Sequence, residues 1–395
     1  MKITALRLWQ VTGRADFDET FWEERLVRPV DTYPEHRVEG TEIYGGPEVG
    51  RASSIFVELE TDEGVSGMGG PVSLTEAFLI DRHLRPLVEG SDALAHERLW
   101  DRMYRFEVHG RKGEAMMAIS AVDCAMWDLK GRVANLPVQR LLGGPTRPAI
   151  RAYASALGFS LEPDRVAATS RALVGQGYTA IKWFFRHGPA DGDAGMDANE
   201  ELVATVRAAV GPGVEIMTDA WMSWNVPYTL AMARRLERYR PRWIEEPVLP
   251  DQIQAYADIR RESPVPIAGG EHEYTRWGIH QLLTAQAVDV LQPDVAWAGG
   301  ITEMLKICAL ASTYGIPVVP HGHSVPATMH LISAQPEAVT PLLEYLVKWN
   351  DVHQFFLQRP LRPVDGFVTV LDEPGLGIVL DESKIEDRRE LHWSN

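Results

Sequence analysis

Apolar and polar positions alternate through MKITALRLWQV at the N-terminus, and the alternation ends near Gly13. A period of two is that of a strand with one buried face. SSIFVELETDEGVSGMGG repeats the pattern on both sides of Asp62-Glu63-Gly64, which predicts two strands joined by a tight turn. Between these regions, over about residues 14–50, there is little periodicity and many polar, aromatic and glycine positions. A loop of that length in a compact domain is usually functional, often a lid. From Ser73 to Gly143 the spacing becomes helical, in LTEAFLIDRHLRPLVEG, ALAHERLWDRMYR and AMMAISAVDCAMWDLKGRVANLPVQRLLGG. Residues 1–145 therefore read as an α+β unit, a small sheet followed by helices.

Past Gly144 short apolar runs alternate with amphipathic stretches every 20–30 residues or so. The runs are IRAYAS, TAIKWFF, VEIMTDA, RWIEEP, VPIAGGE, VDVLQPD, GIPVVPH and PLLEYL. Eight such units over residues 146–350 predict a (β/α)₈ barrel of the TIM type. An open doubly wound sheet is the competing architecture, weakened by the lack of a Gly-x-Gly-x-x-Gly turn after any strand. In residues 351–395 FVTVLDEPGLGIVLDE has the look of a hairpin, and this segment is expected to return to the first unit.

Composition narrows the function. With 55 acidic and 39 basic residues among 395, the formal charge is −16. That surface repels phosphate backbones and anionic lipid, so nucleic acid and membrane are poor partners. The two cysteines, Cys124 and Cys308, each lie in an apolar helical run, which predicts inert packing and a reducing compartment. The first residues lack an apolar run long enough for a signal peptide, and no segment approaches a membrane span. A soluble cytoplasmic protein is expected.

In a barrel of this kind the chemistry sits at the C-terminal ends of the strands. The ends of the runs supply Lys182, Asp219, Glu245 or Glu246, Glu271, Asp294, His321 and Glu344. From Asp219 to Glu344 they recur every 23–27 residues, one per unit, around one rim. Three successive carboxylates without a neutralising lysine cannot all ionise in one pocket. A hard divalent cation with oxygen ligands resolves this, and Mg²⁺ is the expected ion. Asp294 and His321 fall on adjacent units, where a carboxylate on one imidazole nitrogen makes the other a general base. His323 and His330 read as structural.

The motifs IMTDAWMSW, RWIEEPVLP, AGGEHE, LQPDVAWAGG and PVVPHGHSV, in this order, resemble the enolase superfamily and its mandelate racemase subgroup. HGPADGDAGMDAN and AVDCAMWDLKGRVANLPVQRLLGG are similar to its acid-sugar dehydratases of the rhamnonate dehydratase type. The resemblance runs from about residue 50 to the end. It implies a capping domain, formed by the α+β unit and the C-terminal tail, over a modified barrel. It implies Mg²⁺ on Asp219, Glu245 and Glu271, a catalytic His321–Asp294 dyad, and Glu344 hydrogen-bonded to the substrate carboxylate. Glu246 is then an idle neighbour pointing the other way from Glu245. It also implies a homo-oligomer.

Racemases of the subgroup carry Lys-x-Lys after the second barrel strand, whereas here the stretch is Lys182-Trp183-Phe184. Racemisation needs groups on both faces of the substrate, and elimination can run from one. Lys182 could steady the substrate carboxylate, and His272 is a candidate second acid. Trp22, Tyr44, Phe184 and Trp297, with Trp183 and Trp221, are candidates to shape the pocket. Phe21 and Tyr44 stand where those dehydratases place a histidine and an arginine, which points to different hydroxyl contacts. The expectation is a Mg²⁺-dependent dehydratase of a sugar acid. The alternatives are a racemase or epimerase of a 2-hydroxy acid, using Lys182 opposite His321, and a non-catalytic barrel that binds a sugar acid.

Overall fold

The computed structural model describes residues 1–17, 21–37 and 48–394. Among these, twelve strands run in chain order. The first three are β1 (Ile3–Arg14), β2 (Arg51–Thr61) and β3 (Ser66–Val72). Next come β4 (Ala149–Ser155), β5 (Ala180–Phe184), β6 (Glu215–Asp219), β7 (Trp243–Glu245), β8 (Ile267–Gly269), β9 (Val290–Leu291) and β10 (Leu343–Leu346). The chain ends with β11 (Phe367–Thr369) and β12 (Asp387–Glu390).

The alternating N-terminal residues form an antiparallel sheet in the order β12-β1-β2-β3. Leu6 and Leu8 of β1 are buried on one face, and Arg7 on the other pairs with Glu60 at 2.7 Å and Glu390 at 3.0 Å. The helix Glu114–Ala134 lies directly on β3. A Cβ on Gly67 or Gly69 would come within 2.5 Å of that helix's backbone, so these two glycines set the contact distance. The helix's far side reaches the barrel: Ser120 accepts from Gly299 N–H at 2.9 Å, and Asp123 from Thr302 N–H at 2.9 Å. Trp100, on the helix His96–Phe106, donates to the Gly299 carbonyl at 2.7 Å. The capping unit thus grips the loop that follows β9.

Strands β4 to β9 run parallel in chain order, and β10 returns to pair with β4. The seventh position is a segment attached by single bridges, Leu291 to Val318 and Asp294 to His321. Helices fill the intervals, from Pro163–Gly175 after β4 to Val325–Ala334 before β10. Inside, Tyr153, Ala180, Met217, Trp243, Ala268, Val290, Val319 and Leu342 form one apolar layer, one residue from each of the eight units. The ring of side chains is therefore closed even where the ladder is sparse. Two residues further along every unit, on the same face, stand Ser155, Lys182, Asp219, Glu245, Gly270, Gln292, His321 and Glu344. The period of two that buries the apolar layer lifts a polar layer to the mouth.

The C-terminal stretch differs from the hairpin expected of it. β11 pairs antiparallel with β4 of the barrel, and the strand that completes the first sheet is the later segment β12. No helix among the described residues is long and apolar enough to cross a membrane.

Candidate active site

Lys182 is fully buried at the centre of the polar layer. Its Nζ lies 3.0 Å from Asp219 Oδ2 and 2.8 Å from Glu344 Oε1, and it donates to Glu245 Oε1. The expectation that no lysine neutralises the acids is therefore overturned, because strand order puts Lys182 beside Asp219 and across from Glu245. Burial opposes its charge, but Glu245 and Glu344 outweigh that and hold its pKa well above the ordinary value. Glu245 also accepts from Gln292 Nε2 at 2.7 Å and Trp243 Nε1 at 2.9 Å. Glu344 accepts from Gly322 N–H at 3.0 Å.

On the next wall His321 donates from Nδ1 to Asp294 Oδ2 at 2.7 Å. Asp294 also accepts from the N–H groups of Ala296 at 2.6 Å and His323 at 3.2 Å, so the carboxylate is fixed as well as buried. His321 Nε2 lies 3.8 Å from Glu271 Oε2. Burial lowers the basicity of His321, but Glu271, Asp294 and Glu344 raise its pKa to about 10. A third pair joins the other two: His272 Nδ1 meets Glu246 Oε2 at 2.8 Å and lies 3.6 Å from Glu271 Oε1.

Glu246 is thus not idle. It enters the same cluster through His272, because φ of +41° takes it out of strand alternation. Among the described residues, the three candidate ligands whose atoms all lie within 4.8 Å of one another are Glu246, Glu271 and His272. Asp219, Glu245 and Glu271 belong to the same buried cluster, with the first two meeting on Lys182. Gly270, at φ +115°, turns the chain out of the layer so that Glu271 faces His321.

Asp219, Glu245, Glu246, Glu271, Asp294 and Glu344 are all at most 4% exposed, and among the described residues the basic side chains paired with them are Lys182, His272 and His321. Burial and mutual repulsion push Asp219 up to about 6, Glu271 to about 7 and Glu245 to about 8, against the pull of Lys182 or the histidines. An excess of buried carboxylate oxygens is the donor set of a hard divalent cation. Among the described residues Glu246 Oε1 is buried with no hydrogen-bond partner, another oxygen suited to a cation or proton.

The aromatic candidates separate. Phe184 lies over Lys182, ring centroid to Nζ 5.0 Å. Trp297 packs between His321 at 4.7 Å, His272 at 5.8 Å and His323 at 5.5 Å. Trp221, at φ +40°, stands 6.3 Å from His272. Trp183 does not reach the pocket: one residue out of phase with Lys182, it is fully buried on the helix side of β5. Trp22 lies on residues 21–37, a strap tied to the barrel mouth. Val27 N–H donates to the Phe185 carbonyl at 2.8 Å, and Lys348 Nζ binds the carbonyls of Phe21 and Gly158 at 2.8 and 3.0 Å. Tyr44 lies outside the described residues. Ser155 and Gln292 are members of the polar layer that were not expected, though they follow from the two-residue rise above the apolar layer, and Glu246 was set aside as idle.

Curled parallel sheet, capping unit and polar layer together define an enolase-type barrel protein. Residues 46–143 match the mandelate racemase / muconate lactonizing enzyme N-terminal domain, and residues 164–384 match the enolase C-terminal domain-like family, so the chain belongs to this family. It is 35% identical to the L-rhamnonate dehydratase of Saccharopolyspora erythraea, over 98% of this chain and 99% of that one. The structure of rhamnonate dehydratase from Gibberella zeae complexed with Mg superposes with a TM-score of 0.84 at 32% identity, covering 97% of this chain and 95% of that one. A racemase from Streptomyces coelicolor A3(2) with bound magnesium gives 0.79 at 28% identity, covering 97% and 98%.

Proposed function

We propose that the protein is a Mg²⁺-dependent lyase that dehydrates a sugar acid to its 2-keto-3-deoxy acid. The reading is carried by the His321–Asp294 pair at 2.7 Å beside an excess of buried carboxylates. The similarity to L-rhamnonate dehydratases supports it. Asp219, Glu245 and Glu271 are the proposed ligands, because three carboxylates suit Mg²⁺ better than a set containing imidazole. When bound, the ion stabilises negative charge on the substrate carboxylate as the α proton leaves.

The chain's own groups do the rest. Asp294 holds His321 Nδ1–H, so Nε2 is the atom that takes the proton from C2 once the Glu271 charge that keeps the ring protonated is balanced by the ion. Lys182 steadies the substrate carboxylate by charge, and Glu344, which as a carboxylate only accepts, orients Lys182 at 2.8 Å. The electrons of the C2–H bond become the C2–C3 double bond as the C3–O bond breaks. The hydroxyl leaves as water with a proton from His321 or from His272, which Glu246 orients. The enol then gains a proton at C3 and becomes the keto acid. Phe184 and a Lys182 engaged on three carboxylates leave no free base opposite His321, which favours elimination over racemisation.

The test is 2-keto acid formation from a panel of aldonates and aldarates with Mg²⁺. Wild type is expected to turn over at least one, and His321→Asn none. A His321→Asn protein with full activity refutes the mechanism. Calorimetry checks the ligands: Asp219→Asn is expected to weaken Mg²⁺ binding more than Glu246→Gln, and the reverse order moves the ion to Glu246, Glu271 and His272.

A further inference from the structure

A sugar acid carries hydroxyls beyond C3, and a site that distinguishes them needs a fixed polar partner for each. The groups already described serve the carboxylate, C2 and C3. Along the barrel wall from His321 the rings of Trp297, His323, His353 and Trp349 succeed one another at 4.7, 5.5, 4.5 and 5.5 Å. Trp349 meets Phe21 and Trp22 of the strap at 5.0 and 5.9 Å. This wall leads away from the reacting carbon and ends under the strap.

His353, at the end of the helix Val347–His353, is the polar member of that wall with a defined tautomer. Its Nδ1 faces the His323 carbonyl at 3.2 Å. A carbonyl only accepts, so Nδ1 carries the hydrogen and Nε2 is a bare acceptor. Burial lowers the ring's pKa to about 4, so it is neutral at neutral pH, and both Asp294 and His321 lie close enough to bias it. Among the described residues no group pairs with Nε2, and the ring is only half-buried. His323, whose ring lies tilted against it, instead lines the cleft between barrel and capping unit with Glu76, Met117 and Trp297.

We infer that His353 is a specificity-determining residue, whose Nε2 accepts a hydrogen bond from a hydroxyl of the sugar acid beyond C3, with Trp349 and Trp22 enclosing that end of the chain. The inference rests on the sugar-acid reading of the site. A hydroxyl that loses a buried partner costs binding, whereas an analogue without that hydroxyl loses nothing more.

The experiment measures binding rather than turnover. The full chain, loaded with Mg²⁺ and carrying His321→Asn to stop turnover, is titrated calorimetrically with pentonates and hexonates. The tightest binder is then compared with its 4-, 5- and 6-deoxy analogues, with and without His353→Phe. His353→Phe is expected to weaken the parent acid about 10- to 100-fold and one deoxy analogue at most about twofold. His353→Gln, which retains an acceptor, is expected to recover part of the loss. Equal weakening of the parent and every analogue overturns the inference, since a merely loosened wall acts on all alike. So does unchanged binding, or no binding of any acid. If wild type forms no keto acid while the selective loss persists, the dehydratase reading fails and the assignment of His353 stands.

Discussion

Replacing Asp294 by Asn keeps the size of the side chain and removes its charge. The carboxylate is wholly buried, and all three of its neighbours donate to it: His321 Nδ1, Ala296 N–H and His323 N–H. Oδ2 serves both His321 and His323, and Oδ1 serves Ala296. An amide offers one oxygen and one NH₂. In one orientation its NH₂ faces the Ala296 N–H; in the other it faces the His323 N–H and turns His321 to the wrong tautomer. A mispaired buried donor costs about 1–3 kcal/mol of stability. The lost charge matters more. A carboxylate about 4 Å from the imidazole charge, at an effective dielectric of about 20, contributes about 4 kcal/mol. That is about three pKa units of basicity at Nε2, or up to about 10³ in rate if proton transfer is well advanced in the transition state. The expected result is a folded Asp294→Asn protein with kcat reduced about 10²- to 10³-fold and KM little changed. The assay is keto acid formation against pH, with a thermal melt to confirm folding. A folded variant within threefold of wild-type kcat across pH 6–9 would refute the role of Asp294 as the group that builds the base.

The same cluster and the strap give two further expected outcomes. Asp219, Glu271 and Glu245 have folded pKa values near 6, 7 and 8, above those of ordinary carboxyls, so the folded state binds more protons over that range. Metal-free protein is therefore expected to lose stability as pH rises from about 4 to 8, and His321 extends the decline toward about 10. Mg²⁺ is expected to flatten the slope; melting curves at several pH values with EDTA or Mg²⁺ test this, and a metal-free melting temperature that rises over pH 5–8 contradicts it. Lys348→Met removes the two contacts, 2.8 Å to the Phe21 carbonyl and 2.7 Å to Glu23, by which this side chain holds residues 21–23 to the barrel. It is expected to raise KM several-fold with a smaller change in kcat and to speed proteolytic nicking of the strap; unchanged nicking would show that Lys348 is not what holds it.

Much of the barrel was legible because eight apolar runs were separated by helical stretches, and the polar rim because each run ended in a chemically distinctive residue. What escaped did so for identifiable reasons. Glu246 sits next to Glu245 in sequence, and alternation placed it outside; a single left-handed residue brings it back in. Lys182 was legible as a strand-end lysine, but its contact with Asp219 and Glu245 depends on neighbours 37 and 63 positions away. Ser155 and Gln292 are small or neutral, so nothing in their chemistry drew notice, although the layer rule points to them. His353 comes after the last barrel strand, where sequence suggested a tail, and Trp349 lies at the very end of the expected barrel. The final strand was missed for the opposite reason from the others: Asp387–Glu390 is fully exposed and every residue is charged, so no apolar period marks it. A charged edge is how sheets avoid unwanted pairing, which makes such strands hard to read.

The edge has a consequence in time. Arg7 and Glu390, which meet across it, are 383 residues apart. A ribosome making the 395-residue chain at about 5–20 residues per second works for roughly 20–80 s. Throughout that interval β1 has emerged and β12 has not been made. The nascent protein presents the free backbone groups of Trp9 to Thr12, the positions that β12 later covers, as an open template. Only once Asp387–Glu390 has emerged can this edge close. A chain ending before Asp387 would carry the whole polar layer and still leave the ribosome with an adhesive flank.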